Sequence, residues 1–202
     1  MKPTNLVFDI GNVLIRWDSE IPYRRLIPDP EERRRFFTEI LPPEWNLEQD
    51  RGRPWPVAEA ERIALHPDKA DLIRAFRHHW HEMVPGPIEA NVAVLENALG
   101  RGIPCYAITN FAADTFAEAR ARFPFLDRFA GTIVSAELGV LKPDPAIYTA
   151  FLDRHGLEAR ACLFMDDSAK NVAGAAALGF ATIHVTGTTD LANEIRHHGF
   201  DL

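Results

Sequence analysis

The chain has 202 residues, 47% hydrophobic and 25% charged, which suits one sizeable domain or a core with a small inserted lobe and excludes disordered and fibrous classes. A formal net charge of -7, with no tighter basic run than Arg33, Arg34 and Arg35, argues against a nucleic-acid partner, and that run reads as a solvated helix face. No apolar run is long enough for a membrane span, Asp9 interrupts the first apolar run as a signal sequence would not allow, and Cys105 and Cys162 lack disulfide or metal spacing, so a cytoplasmic protein without a membrane partner is expected.

In chain order, the first strand-like run is residues 5–10, NLVFDI. Residues 17–86 then break the pattern, being rich in Arg, Glu, Trp and Pro without a convincing strand, and read as a helical lobe inserted into a core formed by 1–16 and 87–202. Inside the lobe, Phe36, Phe37, Ile40 and Leu41 mark one amphipathic stripe, and Leu72, Ile73, Phe76 and Trp80 mark another that starts after Pro67. Residues 84–89, VPGPIE, form the expected return hinge. Beyond it, strand-like runs at 103–109, 131–136, 161–165 and, more weakly, 180–185 alternate with helical stripes. The stripes are marked by Ile88, Val92, Leu95 and Leu99, by Phe116 and Phe123, by Ile147 and Phe151, and by the small-residue run AKNVAGAAALG.

Strands alternating with helices imply an α/β fold, a Rossmann-like parallel sheet flanked by helices, whose strand C-termini share one edge. That edge is predicted to gather Asp9, Thr109 with Asn110, Ser135 with Glu137, and Asp166, Asp167 and Ser168. Three carboxylates so close together call for a cation, and hard oxygen ligands suit Mg2+. With Lys142 and the Thr109 hydroxyl they would bind a tetrahedral dianion, a phosphoryl group, and Asp9 would be its nucleophile.

Four segments, FDIGNVL, ITNF, LKPDPAIY and FMDDSAKNVAGAAALGF, resemble in order and spacing the motifs of the haloacid dehalogenase-like superfamily, from Leu6 to about Val185. The resemblance implies Asp9 as nucleophile, Thr109 as the phosphate-binding hydroxyl and Lys142 as the neutralising lysine. It implies Asp167 as a direct metal ligand, joined by Asp9 and the Gly11 carbonyl, with Asp166 as a second ligand or an acid behind them. Asn110 and Gly11 would help to bind substrate, and the lobe would be a cap over a small phosphorylated metabolite.

One position departs from the pattern. Phosphatases of the superfamily carry an aspartate two residues after the nucleophile as general acid and base, and here that residue is Gly11. The DIGNV and FMDD forms resemble a bacterial subgroup that includes a glucose-1-phosphate phosphatase, so a sugar phosphate with a good leaving group is the first expectation, with water or a cap residue beside Gly11. A 2-haloacid dehalogenase, a phosphonatase using the lobe's one lysine, Lys69, and a non-catalytic binding protein are the alternatives. Taken singly, Asp9 and Lys142 are also compatible with turns, Asp166 and Ser168 with a helix cap, and Thr109 with a plain strand end. Asn171 reads either as a partner of the site or as helix surface. The His78 and His81 pair reads as surface, while Trp45, Asn46, Asp50 and Arg51 read either as helix packing or as substrate-pocket lining.

Overall fold

The computed structural model describes residues 2–202. Five short runs form a fully parallel sheet: β1 (Asn5–Phe8), β2 (Cys105–Thr109), β3 (Gly131–Val134), β4 (Cys162–Asp166) and β5 (Ala181–His184), in the order β3-β2-β1-β4-β5. β1 is central, and every one of its residues is buried, because a strand covered on both faces has no use for polar alternation. Its register sets Leu6 beside Cys105 and Leu163, and Phe8 beside Ala107 and Met165.

Between β1 and β2 the chain is helical: α1 (Tyr23–Leu26), α2 (Pro30–Arg35), a π-helical turn Phe36–Ile40, α3 (Pro43–Asp50), α4 (Trp55–Leu65), a short turn Pro67–Lys69, α5 (Ala70–His78) and α6 (Trp80–Met83). The remaining helices are α7 (Glu89–Gly100), α8 (Ala113–Arg122), α9 (Ser135–Leu138), α10 (Pro145–His155), α11 (Ala169–Ala177) and α12 (Leu191–His197). Residues on alternate sides of β1 show how the layers are made. Leu6 and Phe8 pack with Leu95 and Ala98 of α7 and Leu191 and Ile195 of α12. Val7 packs on the opposite face with Ile147, Tyr148 and Phe151 of α10 and Ala175 of α11. No helix among the described residues is long and apolar enough to cross a membrane.

The helical segment has its own apolar cluster, including Tyr23, Phe36, Trp45, Trp55, Ile73 and Phe76. The outgoing and returning stretches run side by side, with Arg16 N–H donating to the Gly86 carbonyl (2.9 Å), Asp18 N–H to Met83 (2.9 Å) and Ile88 N–H to Leu14 (2.8 Å).

Several local expectations need correction. The stripe from Leu72 to Trp80 is not one helix, because α5 ends at His78 and Trp80 turns towards Phe111 instead (ring centroids 5.9 Å apart). Ile88 and Phe123 flank α7 and α8 without belonging to them. Arg33 is not solvated like its neighbours, since its guanidinium is held by Glu20 and by the Ile27 carbonyl. His79 pairs with Glu82, and no histidine belongs to a metal-ligating cluster among the described residues.

Gly131 opens edge strand β3 beneath the His155 ring, which sits against Tyr106 and Phe151 (5.0 and 5.2 Å between centroids). A Cβ at Gly131 would lie 2.0 Å from His155 Cε1. Gly131→Ala is therefore expected to cost about 1–3 kcal/mol in urea unfolding, with much of the loss recovered when His155→Ala removes the ring.

Candidate active site

Asp9 follows β1 at the point where the strand order reverses, its N–H donating to the Met165 carbonyl at 2.8 Å and its Oδ1 accepting the Ile10 N–H at 2.6 Å. Lys142 reaches it from the loop before α10. Its Nζ lies 2.7 Å from Asp9 Oδ1 and 2.7 Å from Asp166 Oδ2, and donates to the Ile108 carbonyl at 2.9 Å. Burial alone would lower the Lys142 ammonium, but the two carboxylates outweigh it and hold it above its ordinary value. Burial pushes the Asp9 carboxyl up to about 7, with Lys142 opposing the rise and Asp166 and Asp167 adding to it.

Asp166 ends β4 and is fully buried. Besides Lys142, it accepts the Ser168 N–H (2.8 Å) and both of its oxygens accept from Asn171 Nδ2 (3.0 and 3.1 Å). Asn171 thus contacts a buried acid of the site, and Asp166 both pairs with Lys142 and accepts the Ser168 N–H at the start of α11. Asp167 lines the cavity, and burial together with Asp166 raises its carboxyl against the influence of Asn12 and Lys142.

Oxygens of Asp9, Asp166 and Asp167 lie within 4.8 Å of one another. Three carboxylates against one ammonium leave a surplus of two negative charges, which suits a hard divalent cation. Because the Asp166 oxygens are already engaged, Asp9 and Asp167, with the nearby Gly11 carbonyl, are the groups best able to hold it.

Asp9 and Asp167 face a cavity of about 410 Å3 whose wall also includes Gly11, Asn110, Lys142 and Asn171, while Asp166 lies buried behind it. Thr109 is buried at the end of β2 and does not line that wall, which Asn110 does, its side chain exchanging hydrogen bonds with the backbone of Lys142 (2.8 and 3.1 Å). The expected edge residues Ser135 and Glu137 are also off the wall. Ser135 Oγ instead accepts the Phe111 N–H at 2.9 Å and donates to the Asp50 carbonyl, while Glu137 is exposed. Trp45 is helix packing and Arg51 is absent from the wall, whereas Asn46 and Asp50 line it. Lys69 lies at a separate small cavity, 3.6 Å from Glu32.

An aromatic band that no sequence period marks crosses this cavity. Trp55, Phe76, Trp17, Trp80 and Phe111 all line it, with successive ring centroids 5.8, 6.4, 6.5 and 5.9 Å apart. The tryptophans of residues 17–86 were a compositional hint, but only folding shows which face they share.

The family model for haloacid dehalogenase-like hydrolases matches residues 4–179. The chain belongs to this family. Among relatives of this haloacid dehalogenase-like hydrolase, the sesquiterpene phosphatase astK of Aspergillus oryzae is 26% identical over 94% of this chain and 93% of its own length. The plasmid protein CbbY of Cupriavidus necator is 33% identical over 61% of this chain and 52% of its own. A haloacid dehalogenase family enzyme of Bacteroides thetaiotaomicron, solved as a magnesium complex, superposes with a TM-score of 0.75 at 23% identity, covering 97% of this chain and all of that one. The L-2-haloacid dehalogenase of Xanthobacter autotrophicus superposes at 0.67 with 19% identity, over 94% and 80% of the two chains. These superpositions bear out the α/β fold of the hydrolase.

Proposed function

We propose that this hydrolase cleaves phosphate monoesters of largely apolar alcohols, with Asp9 as nucleophile and an aspartyl-phosphate intermediate. The observation that carries the reading is the contact of Asp9 with Lys142 at the base of a cavity walled by aromatic rings. Lys142 offsets charge on both the nucleophile and the phosphoryl oxygens, and Asn110 stands beside it on the cavity wall. Asp9, Asp167 and the Gly11 carbonyl would hold Mg2+, which when bound supplies positive charge to the transferring phosphoryl group. The helical segment 17–86 would act as the cap, contributing Trp17, Phe37, Trp55, Phe76 and Trp80 to the wall that meets the alcohol. The sesquiterpene phosphatase among the relatives agrees with an apolar alcohol. Buried, unpaired Cys105 and Cys162 agree with a reducing, cytoplasmic setting.

A sugar phosphate is the second reading, favoured by Ser19, Asn46 and Asp50 on the same wall. Schiff-base chemistry has no support, because Lys69 lies away from the cavity that holds Asp9.

The test is phosphate release, with Mg2+ and then with chelator, from esters that share the phosphate and differ in the alcohol. Each buried methylene contributes about 0.8 kcal/mol, so two of them already favour an apolar alcohol about tenfold in kcat/KM. Medium-chain alkyl or terpenoid phosphates should exceed hexose phosphates by at least about that factor. The reverse order would select the sugar reading, and no metal-dependent release from any ester would overturn both.

A further inference from the structure

We infer that Asp50, the last residue of α3, is the general acid and base of this site, giving a proton to the departing alcohol and taking one from the attacking water. The inference rests on the phosphate-ester reading above. An apolar alcohol leaves as a poorly stabilised alkoxide, so cleavage needs a proton at its oxygen. Gly11 cannot supply one.

The titratable groups lining the cavity are Asp9, Asp50, Lys142 and Asp167. Asp9 and Lys142 are tied to each other, and Asp167 belongs to the cation-ligating group. Asp50 alone is left, and it approaches from the helical segment, the side on which the alcohol must sit if Asp9 attacks in line.

Its placement is built rather than incidental. Asn46 Nδ2, one turn earlier on α3, donates to Asp50 Oδ2 at 3.1 Å, and the Ala112 N–H faces the carboxyl from the start of α8. The Asp50 carbonyl accepts the Ser135 hydroxyl, which anchors α3 to the core just beyond the Thr109 loop. Behind it the chain passes so close to α9 that a Cβ on Gly52 would lie 3.0 Å from the Ala136 carbonyl oxygen.

Asp50 is partly accessible, and protein otherwise surrounds it. Burial pushes its carboxyl up to about 7, with the Ala112 N–H opposing the rise. The charged groups on the elements around it, Glu48 and Arg51 on its own turn, Asp114 on α8 and Glu137 on α9, are exposed, and across the cavity stand Asp9, Lys142 and Asp167. A carboxyl in this range can both release and recover a proton near neutrality.

The steps balance. The Asp9 oxygen forms a bond to phosphorus as the ester P–O bond breaks, and the Asp50 proton passes to the alkoxide, leaving alcohol, aspartyl phosphate and the Asp50 carboxylate. Water then attacks phosphorus, its proton returns to Asp50, and inorganic phosphate departs as the Asp9 carboxylate is restored.

The decisive measurement compares an alkyl phosphate with 4-nitrophenyl phosphate, whose leaving group needs no proton, in the Mg2+-loaded native chain and in Asp50→Asn. Turnover of the alkyl ester should fall about 10^2 to 10^4-fold, and that of the aryl ester by at least about tenfold less. The native alkyl-ester rate should also fall as pH rises through about 7, and Asp50→Asn should remove that limb. Nothing lies within 4 Å of a Cβ placed on Gly11, so Gly11→Asp has room, and adding it to Asp50→Asn should restore alkyl-ester turnover. Equal losses on both esters, with the alkaline limb unchanged, would overturn the assignment and leave Asp50 an anchor of α3. A native chain that releases phosphate from neither ester would overturn the ester reading itself.

Discussion

Asp9→Asn is expected to lower phosphate release by about 10^4-fold or more while the chain stays folded, because the amide keeps the shape of the carboxylate and has no nucleophilic oxygen anion. The fold should tolerate the change. Burial already works against charge at Asp9, and Lys142 keeps its partners in Asp166 and the Ile108 carbonyl. Unfolding free energy should stay within about 1.5 kcal/mol of native, the scale of one hydrogen bond. Acid-quenched native enzyme should carry a phosphoryl group on the Asp9 peptide, and the variant should carry none. Full turnover by the variant would remove Asp9 from the nucleophile's role.

Lys142→Met should affect activity and stability together. The ammonium is buried with Asp9 and Asp166 at 2.7 Å each, and removing it leaves two buried carboxylates with no cation between them. Breaking a buried pair in this way typically costs about 3–5 kcal/mol, and urea unfolding in the presence of chelator should show a loss of that order. The loss should depend on pH, and its sign follows from the carboxylates. Without Lys142 the Asp9 carboxyl, pushed up to about 7 by burial even with the lysine beside it, rises further above its unfolded value, so this part of the deficit is absent well below pH 7 and grows as pH rises through and above it. Saturating Mg2+ should return part of the lost stability by binding only the folded chain. A deficit independent of both pH and Mg2+ would mean that Lys142 contributes packing alone.

Much of this site was legible in the sequence because its acids sit at the ends of apolar runs. Asp9, Thr109 and Asp166 directly follow or close strands in which every residue but Tyr106 is buried, so the apolar runs alone bring them to one edge. Lys142 lies on no strand and was legible only through the four motifs taken together. The aromatic band was not legible, because Trp17, Trp55, Phe76 and Trp80 come from separate pieces of the helical segment, and their shared face depends on the break at His79. The π-helical turn Phe36–Ile40 has no periodic signature either, and the stripe Phe36, Phe37, Ile40 and Leu41 reads equally well as an α-helix. Asp50 stood among four polar and aromatic residues with nothing local to separate it from Arg51, because only the tertiary fold puts one of them on the cavity wall and leaves the other out.

The paired crossings between the core and the helical segment set how the cavity can open. A lobe hung from one strand of chain could swivel in any direction, but this one leaves and returns through stretches laced together by the Arg16–Gly86, Asp18–Met83 and Ile88–Leu14 hydrogen bonds. Two laced tethers act as a door hinge, resisting twist and permitting swing about one axis. A lengthened 84–89 stretch would loosen that axis before it touched any group on the cavity wall other than Val84, and the wall would then meet each substrate from many directions in place of one.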